Sequence, residues 1–187
     1  MEQQNYLPIK VLHDFVNRIE NLGIQYMLTG SMAMMKYAMP RYTMDIDVVI
    51  ELEPKDILRI IETLEPDYYV PHEALKRAIY NKGMFNIIHQ DSSYKVDCVI
   101  KKNTEFQKTA FEKRQNVDYY GRNIWIITKD DLIISKLWWA RESHSELQMR
   151  DVKNLMRVWF DSDYVEKWAR ELGAFEVFLN CKRDIEQ

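Results

Sequence analysis

At 187 residues, with 47% hydrophobic and 29% charged side chains, the chain can bury one sizeable core and has the composition of an ordinary water-soluble protein. No apolar run is long enough to span a membrane and no charged-then-apolar leader opens the chain. Its two cysteines, Cys98 and Cys181, make neither a disulfide framework nor a four-ligand zinc site, so the cytoplasm is the expected location. The net charge of −3 is unevenly spread: residues 72–122 carry ten basic and six acidic groups, an excess that could attract a polyanion such as RNA, with a solvated face as the plainer reading.

The apolar positions Val11, Leu12, Phe15, Ile19 and Leu22 recur at helical spacing after Pro8, and Gly23 closes that helix. "IQYML" follows as a short strand, and Ser31 is placed to cap a helix running to about Ala38, stopped by Pro40. "DIDVVIEL" reads as a strand, and "PKDILRIIETL" and "HEALKRAIYNK" as helices. "MFNIIHQ" and "YKVDCVI" flank "DSS" as a hairpin, "TEFQKTAFEKRQ" is helical, and "VDYYGRNIWIIT" is a strand pair or one bent strand. Four helices follow over 129–143, 146–159, 163–172 and 174–183, with Thr128 and Asp161 or Ser162 as caps. The fold expected is α+β: a small mixed sheet flanked by helices over residues 1–127, then a helical part over 128–187 docked on it.

Within this frame Asp45 and Asp47 stand out. Alternate residues of a strand point to one face, so the two carboxylates sit side by side, roughly 6–7 Å apart, while Ile46 and Val48 face a core. Two neighbouring carboxylates repel unless one is protonated or a cation matches them. Hard oxygen donors of this kind suit Mg²⁺ or Mn²⁺ bound together with substrate phosphates. Fourteen residues before Asp45, the Gly30-Ser31 pair ends a strand and opens a helix, a place where backbone N–H groups can meet a phosphate tail. It lacks the lysine and the glycine spacing of a Walker loop. Asp97, among Val96, Val99 and Ile100, is a carboxylate with no packing reason to be there and supplies a third acidic ligand.

The stretch "TGSMAMMKYAMPRYTMDIDVVIE", taken with the later "VD" of Asp97, resembles the nucleotidyltransferase superfamily that shares its palm with DNA polymerase beta. Arg41 and Thr43 before the D-x-D resemble the AbiEii-type minimal nucleotidyltransferases, which include toxins of type IV toxin–antitoxin pairs. "KDDLIISKLWWA" and "MRDVKNLM" resemble their C-terminal helices. The likeness covers residues 26–100 well and 128–158 loosely; residues 159–187 match nothing specific. It implies that Asp45, Asp47 and Asp97 are catalytic and bind two metal ions, that Gly30 and Ser31 hold the triphosphate of an NTP, and that Arg41 and Lys136 make further phosphate contacts. It implies transfer of an NMP to a hydroxyl of an acceptor (RNA, protein or small molecule) with loss of pyrophosphate.

Plainer readings stand beside these. Lys136 lies near a packing face and could snorkel from it; Arg41 could be a loop residue; Trp138, Trp139 and Trp159 read as helix packing. Met32, Met34, Met35 and Met39 read as core filling. Two rival functions remain: a weakly or non-catalytic nucleotide- or partner-binding module with a cognate antitoxin-like partner, and a nucleotide-sugar glycosyltransferase, for which the chain is short.

Overall fold

The computed structural model describes residues 7–39 and 43–186. Among these, a seven-stranded mixed sheet carries helices at its faces and a helical end. The elements in chain order are α1 (Leu7–Asn21), β1 (Tyr26–Thr29), α2 (Gly30–Met34), β2 (Asp45–Ile50), a 3-10 turn (Pro54–Asp56), α3 (Ile57–Leu64), β3 (Tyr68–Tyr69), α4 (His72–Asn81), β4 (Met84–His89), β5 (Lys95–Ile100), α5 (Glu105–Lys113), β6 (Gln115–Asp118), β7 (Asn123–Ile126), α6 (Lys129–Ser143), α7 (Glu146–Met156), α8 (Ser162–Glu171) and α9 (Phe175–Glu186). The strand order is β3-β4-β5-β2-β1-β7-β6.

The pairing pattern places the acidic residues. β2 runs antiparallel to β1 and parallel to β5, so Asp47 lies opposite Thr29 on one side and Asp97 on the other. Asp45 falls opposite Lys95 one row further along, and Asn86 of β4 lies beyond Asp97. Because side chains alternate, the same strands bury their other face, where Tyr26, Leu28, Ile46, Val48, Ile50, Ile87, Val96, Cys98 and Ile100 form the core. Helix α1 lays its apolar stripe on this core, with the Phe15 ring meeting Tyr68 edge-on at 6.5 Å.

The helical end begins where sequence rules place it. The Thr128 hydroxyl accepts the Asp131 N–H, and Asp161 accepts the Tyr164 N–H, so α6 and α8 are both capped by short polar side chains. Asp131 is fully buried, held by the Thr128 hydroxyl at 2.6 Å and the Tyr164 hydroxyl at 2.7 Å. The buried apolar cluster runs without a break from the sheet into this end, through Leu132, Ile133, Leu137, Val152, Leu155, Val165 and Phe178. Phe106 of α5 meets Trp168 of α8 at 5.3 Å, and the Tyr37 hydroxyl donates to the Ile127 carbonyl at 2.7 Å.

Several local expectations are corrected. Helix α2 ends at Met34 and continues only as turns. β3 has two residues, too few to announce itself by alternation. Of the two readings of "VDYYGRNIWIIT" the strand pair holds: it is the hairpin β6–β7, turned by Tyr120 and Gly121 with φ of 56° and 88°. Met32 and Met34 are core, but Met39 is 81% exposed; Trp159, beyond the end of α7, is 84% exposed and packs no helix interface. Five of the ten basic groups of the middle segment sit in ion pairs with described residues: Lys76 with Glu73, Lys95 with Asp45 and Asp97, Lys101 with Glu51, Lys108 with Glu105, and Arg122 with Glu20. Among the described residues no helix is long and apolar enough to cross a membrane.

Candidate active site

Asp47 is the centre of the site and Gly30 is the reason it fits. The backbone turns from β1 into α2 at Gly30 with φ +63°, a conformation natural to glycine. A Cβ added there would lie 2.0 Å from Asp47 Oδ2 and 2.5 Å from its Cγ, so the carboxylate occupies the space that any side chain would need. The Ser31 backbone N–H donates to that carboxylate. The Gly-Ser pair therefore has a role that sequence reading did not foresee: before any phosphate is bound, it seats the middle aspartate. Ser31 itself is 6% exposed, at the start of a helix of only five residues.

Burial, then the neighbouring charge of Asp97, pushes the Asp47 carboxyl up to about 6; Asp45 adds to the rise, while Lys136 and the Ser31 N–H pull against it. Asp97 is half of a second arrangement. Its Oδ2 lies 3.1 Å from Lys95 Nζ, which also reaches Asp45 Oδ1 at 3.4 Å. The hydrogen bond to Asp97 and the charge of both carboxylates hold the Lys95 ammonium above its ordinary range, against a smaller opposing effect of burial. Lys95 is a cation matched to Asp45 and Asp97 across the two strands, and a strand-entry lysine gives no pattern in sequence by which to find it.

The donor set suits a divalent metal ion in kind. Three carboxylates share one sheet face, and the Asp97 Oδ1 atom is buried with no hydrogen-bond partner, a costly state unless something takes it up. Their side chains do not converge: among the described residues no three acidic, imidazole or thiol groups surround one point closely enough to hold an ion. The physical reason is visible in the contacts, since Lys95 ties Asp45 and Asp97 while Asp47 is turned onto Gly30 and Ser31.

Lys136 is neither a free arm nor a snorkelling one. It is 3% exposed on the inner side of α6, its ammonium 2.8 Å from Asp151 Oδ2 and 3.1 Å from Gln148 Oε1, both on α7. It lies near enough to Asp47 to lower that group's pKa. Asp151, fully buried, belongs with the site for this reason; in sequence it stands in the family-like stretch "MRDVKNLM", with no pattern that links it to Lys136. Arg41 lies outside the described residues. Beyond Asp97 the same sheet face stays open: Met84 is 51% exposed, Ile88 38% and Tyr69 60%, around the exposed Asn86.

Solved structures share this architecture. An antigenic nucleotidyltransferase-like protein from Paracoccidioides brasiliensis aligns with a TM-score of 0.61 at 14% identity, over 95% of this chain and 88% of its own. The antibiotic-resistance factor ANT(2'')-Ia aligns at 0.61 and 10% identity, over 94% and 96% of the two chains. The lincosamide antibiotic adenylyltransferase LnuA, bound to lincomycin, aligns at 0.52 and 17% identity, over 79% and 95%. At such identities the likeness establishes the fold. No curated protein sequence matches. A family model described as "Nucleotidyltransferase of unknown function (DUF6036)" matches residues 9–177. The chain thus belongs to this nucleotidyltransferase family.

Proposed function

We propose that the protein moves a nucleoside monophosphate from an NTP to a hydroxyl of an acceptor, releasing pyrophosphate, with Asp45, Asp47 and Asp97 as its metal-binding catalytic residues. The observation that carries this is the register of β1, β2 and β5, which puts the three carboxylates on one face with a buried, unpartnered Asp97 oxygen among them. Mg²⁺ or Mn²⁺ held by these residues would supply charge neutralisation at the phosphates and a more acidic acceptor hydroxyl. The chain's own groups do the positioning. Gly30 and the Ser31 N–H fix Asp47, and the Gly30-Ser31 turn and Arg41 are the phosphate-side groups. Lys136, ion-paired with Asp151, acts on the nucleotide through the field it adds behind Asp47.

The acceptor side is the open face of β4 beyond Asp97. Its Met84, Ile88 and Tyr69 side chains are apolar or neutral around the Asn86 amide, and most nearby lysines are already paired with carboxylates. Both features favour a small hydroxyl-bearing molecule over a nucleic acid, which needs unpaired cations along its backbone. Two of the structural relatives are named for antibiotic resistance or antibiotic adenylylation, which makes ring-bearing antibiotics the first acceptors to try.

Incubation with each NTP labelled at the α-phosphate, Mg²⁺ or Mn²⁺, and in turn an antibiotic panel, cell RNA and cell protein tests the proposal. Label should pass to a small molecule, and Asp47→Asn or Asp97→Asn should abolish the transfer without altering the circular dichroism spectrum. Label on RNA would overturn the acceptor class; undiminished transfer in both variants would overturn the metal assignment.

A further inference from the structure

Lys95 touches two of the three carboxylates and has no part in the chemistry set out above. It enters β5 opposite Asp45, two residues before Asp97, so alternation brings all three side chains to the same face. From there its ammonium spans the gap between the strands, 3.4 Å from Asp45 Oδ1 and 3.1 Å from Asp97 Oδ2. Those distances put a single positive charge beside the same oxygens that a divalent cation would need. With Oδ2 drawn to Lys95, the other Asp97 oxygen is left buried and unpartnered.

We infer that Lys95 is a positioning residue: its ammonium is the resident counter-ion of Asp45 and Asp97 in the metal-free protein, and a divalent cation gains both carboxylates only by displacing it. The inference rests on the reading of Asp45, Asp47 and Asp97 as metal ligands. Two positive charges cannot share these oxygens without strong repulsion. The Lys95 side chain is 37% exposed and carries a flexible four-carbon stem, so it can swing to solvent while the strand stays in place. Lys95 then accounts for the placement of Asp45 and Asp97 in the resting state, while Asp47 is held separately by Gly30 and Ser31.

Mn²⁺ titration of the full chain, followed by the electron paramagnetic resonance of the free ion without nucleotide, tests this. Lys95→Met keeps the aliphatic stem and removes the charge; it should bind Mn²⁺ on the order of tenfold more tightly than the unaltered protein, whereas Lys95→Arg should not. Equal or weaker binding by a folded Lys95→Met would overturn the inference. A second measurement needs no variant. Amine-directed labelling of the unaltered protein, read by mass spectrometry, should modify Lys95 several-fold faster with Mn²⁺ than without; unchanged or slower labelling would overturn the inference too. Asp97→Asn separates the layers. If it abolishes Mn²⁺ binding while Lys95→Met fails to tighten it, the lysine alone is misread. If Mn²⁺ binding survives Asp97→Asn unchanged, the metal assignment fails and the role of Lys95 falls with it.

Discussion

The Asp47 carboxylate rests where a Gly30 side chain would be, and it is surrounded by like charge. Gly30→Ala should therefore fail twice, through the left-handed backbone and through contact with Asp47. A loss of about 2 kcal/mol in urea unfolding and about a hundredfold in turnover is expected, since small misplacements of reacting groups are that costly. The raised Asp47 pKa makes a separate prediction for the metal-free protein. Between the ordinary carboxyl value of 3.8 and about 6, the folded state holds a proton that the unfolded state releases, so the group's contribution falls as pH rises through that window. Asp47→Asn should thus be more stable than the unaltered protein by about 3 kcal/mol at pH 8, with the gain shrinking towards zero below pH 4. Denaturant melts at a series of pH values without divalent ions would show it; a gain that grows on acidification would refute the assignment.

Helices α6 and α7 are joined by a buried ion pair, and such pairs are sensitive to the loss of one partner. Lys136→Met or Asp151→Leu alone should cost about 3–5 kcal/mol by leaving an uncompensated interior charge, while the double substitution should recover most of it. Full recovery of stability without recovery of turnover would separate the pair's catalytic role from its structural one. This element-level feature also marks the limit of what sequence reveals. The strands and helices were legible because alternation and 3.6-residue spacing are written locally, as were the Thr128 and Asp161 caps. Gly30, Ser31, Asp45, Asp47 and Asp97 drew notice as polar or glycine residues in apolar runs. Lys95 did not, because a lysine at a strand entry is ordinary until pairing shows what faces it, and Asp151 stood out only within the family-like stretch "MRDVKNLM", with nothing to say that it meets Lys136. The two-residue β3 and the exposed Trp159 escaped for a similar reason, since short runs and chain bends carry no period.

Across the whole molecule, charge is arranged to be spent internally. Residues of the basic middle segment meet acidic residues earlier in the chain through Glu51–Lys101, Glu20–Arg122 and the Lys95 contact with Asp45. If a small molecule is the acceptor, its KM should change little between 50 and 300 mM KCl, whereas a nucleic-acid acceptor would show a steep loss of affinity with salt. Steady-state kinetics at several salt concentrations decide this.

The register that makes the site has one more consequence, for how the protein matures. Asp47 and Asp97 come from strands separated by α3, β3, α4 and β4, and β2 must pair with β5 before they share a face, while β1 must pair with β2 before Gly30 meets Asp47. A slip of one residue in either pairing would turn the carboxylates inward and the core residues out. No early hairpin or isolated segment brings Asp47 and Asp97 together. With these carboxylates catalytic as proposed, turnover should be an all-or-none report on native strand pairing: chains that have collapsed but mispaired would be compact and inert.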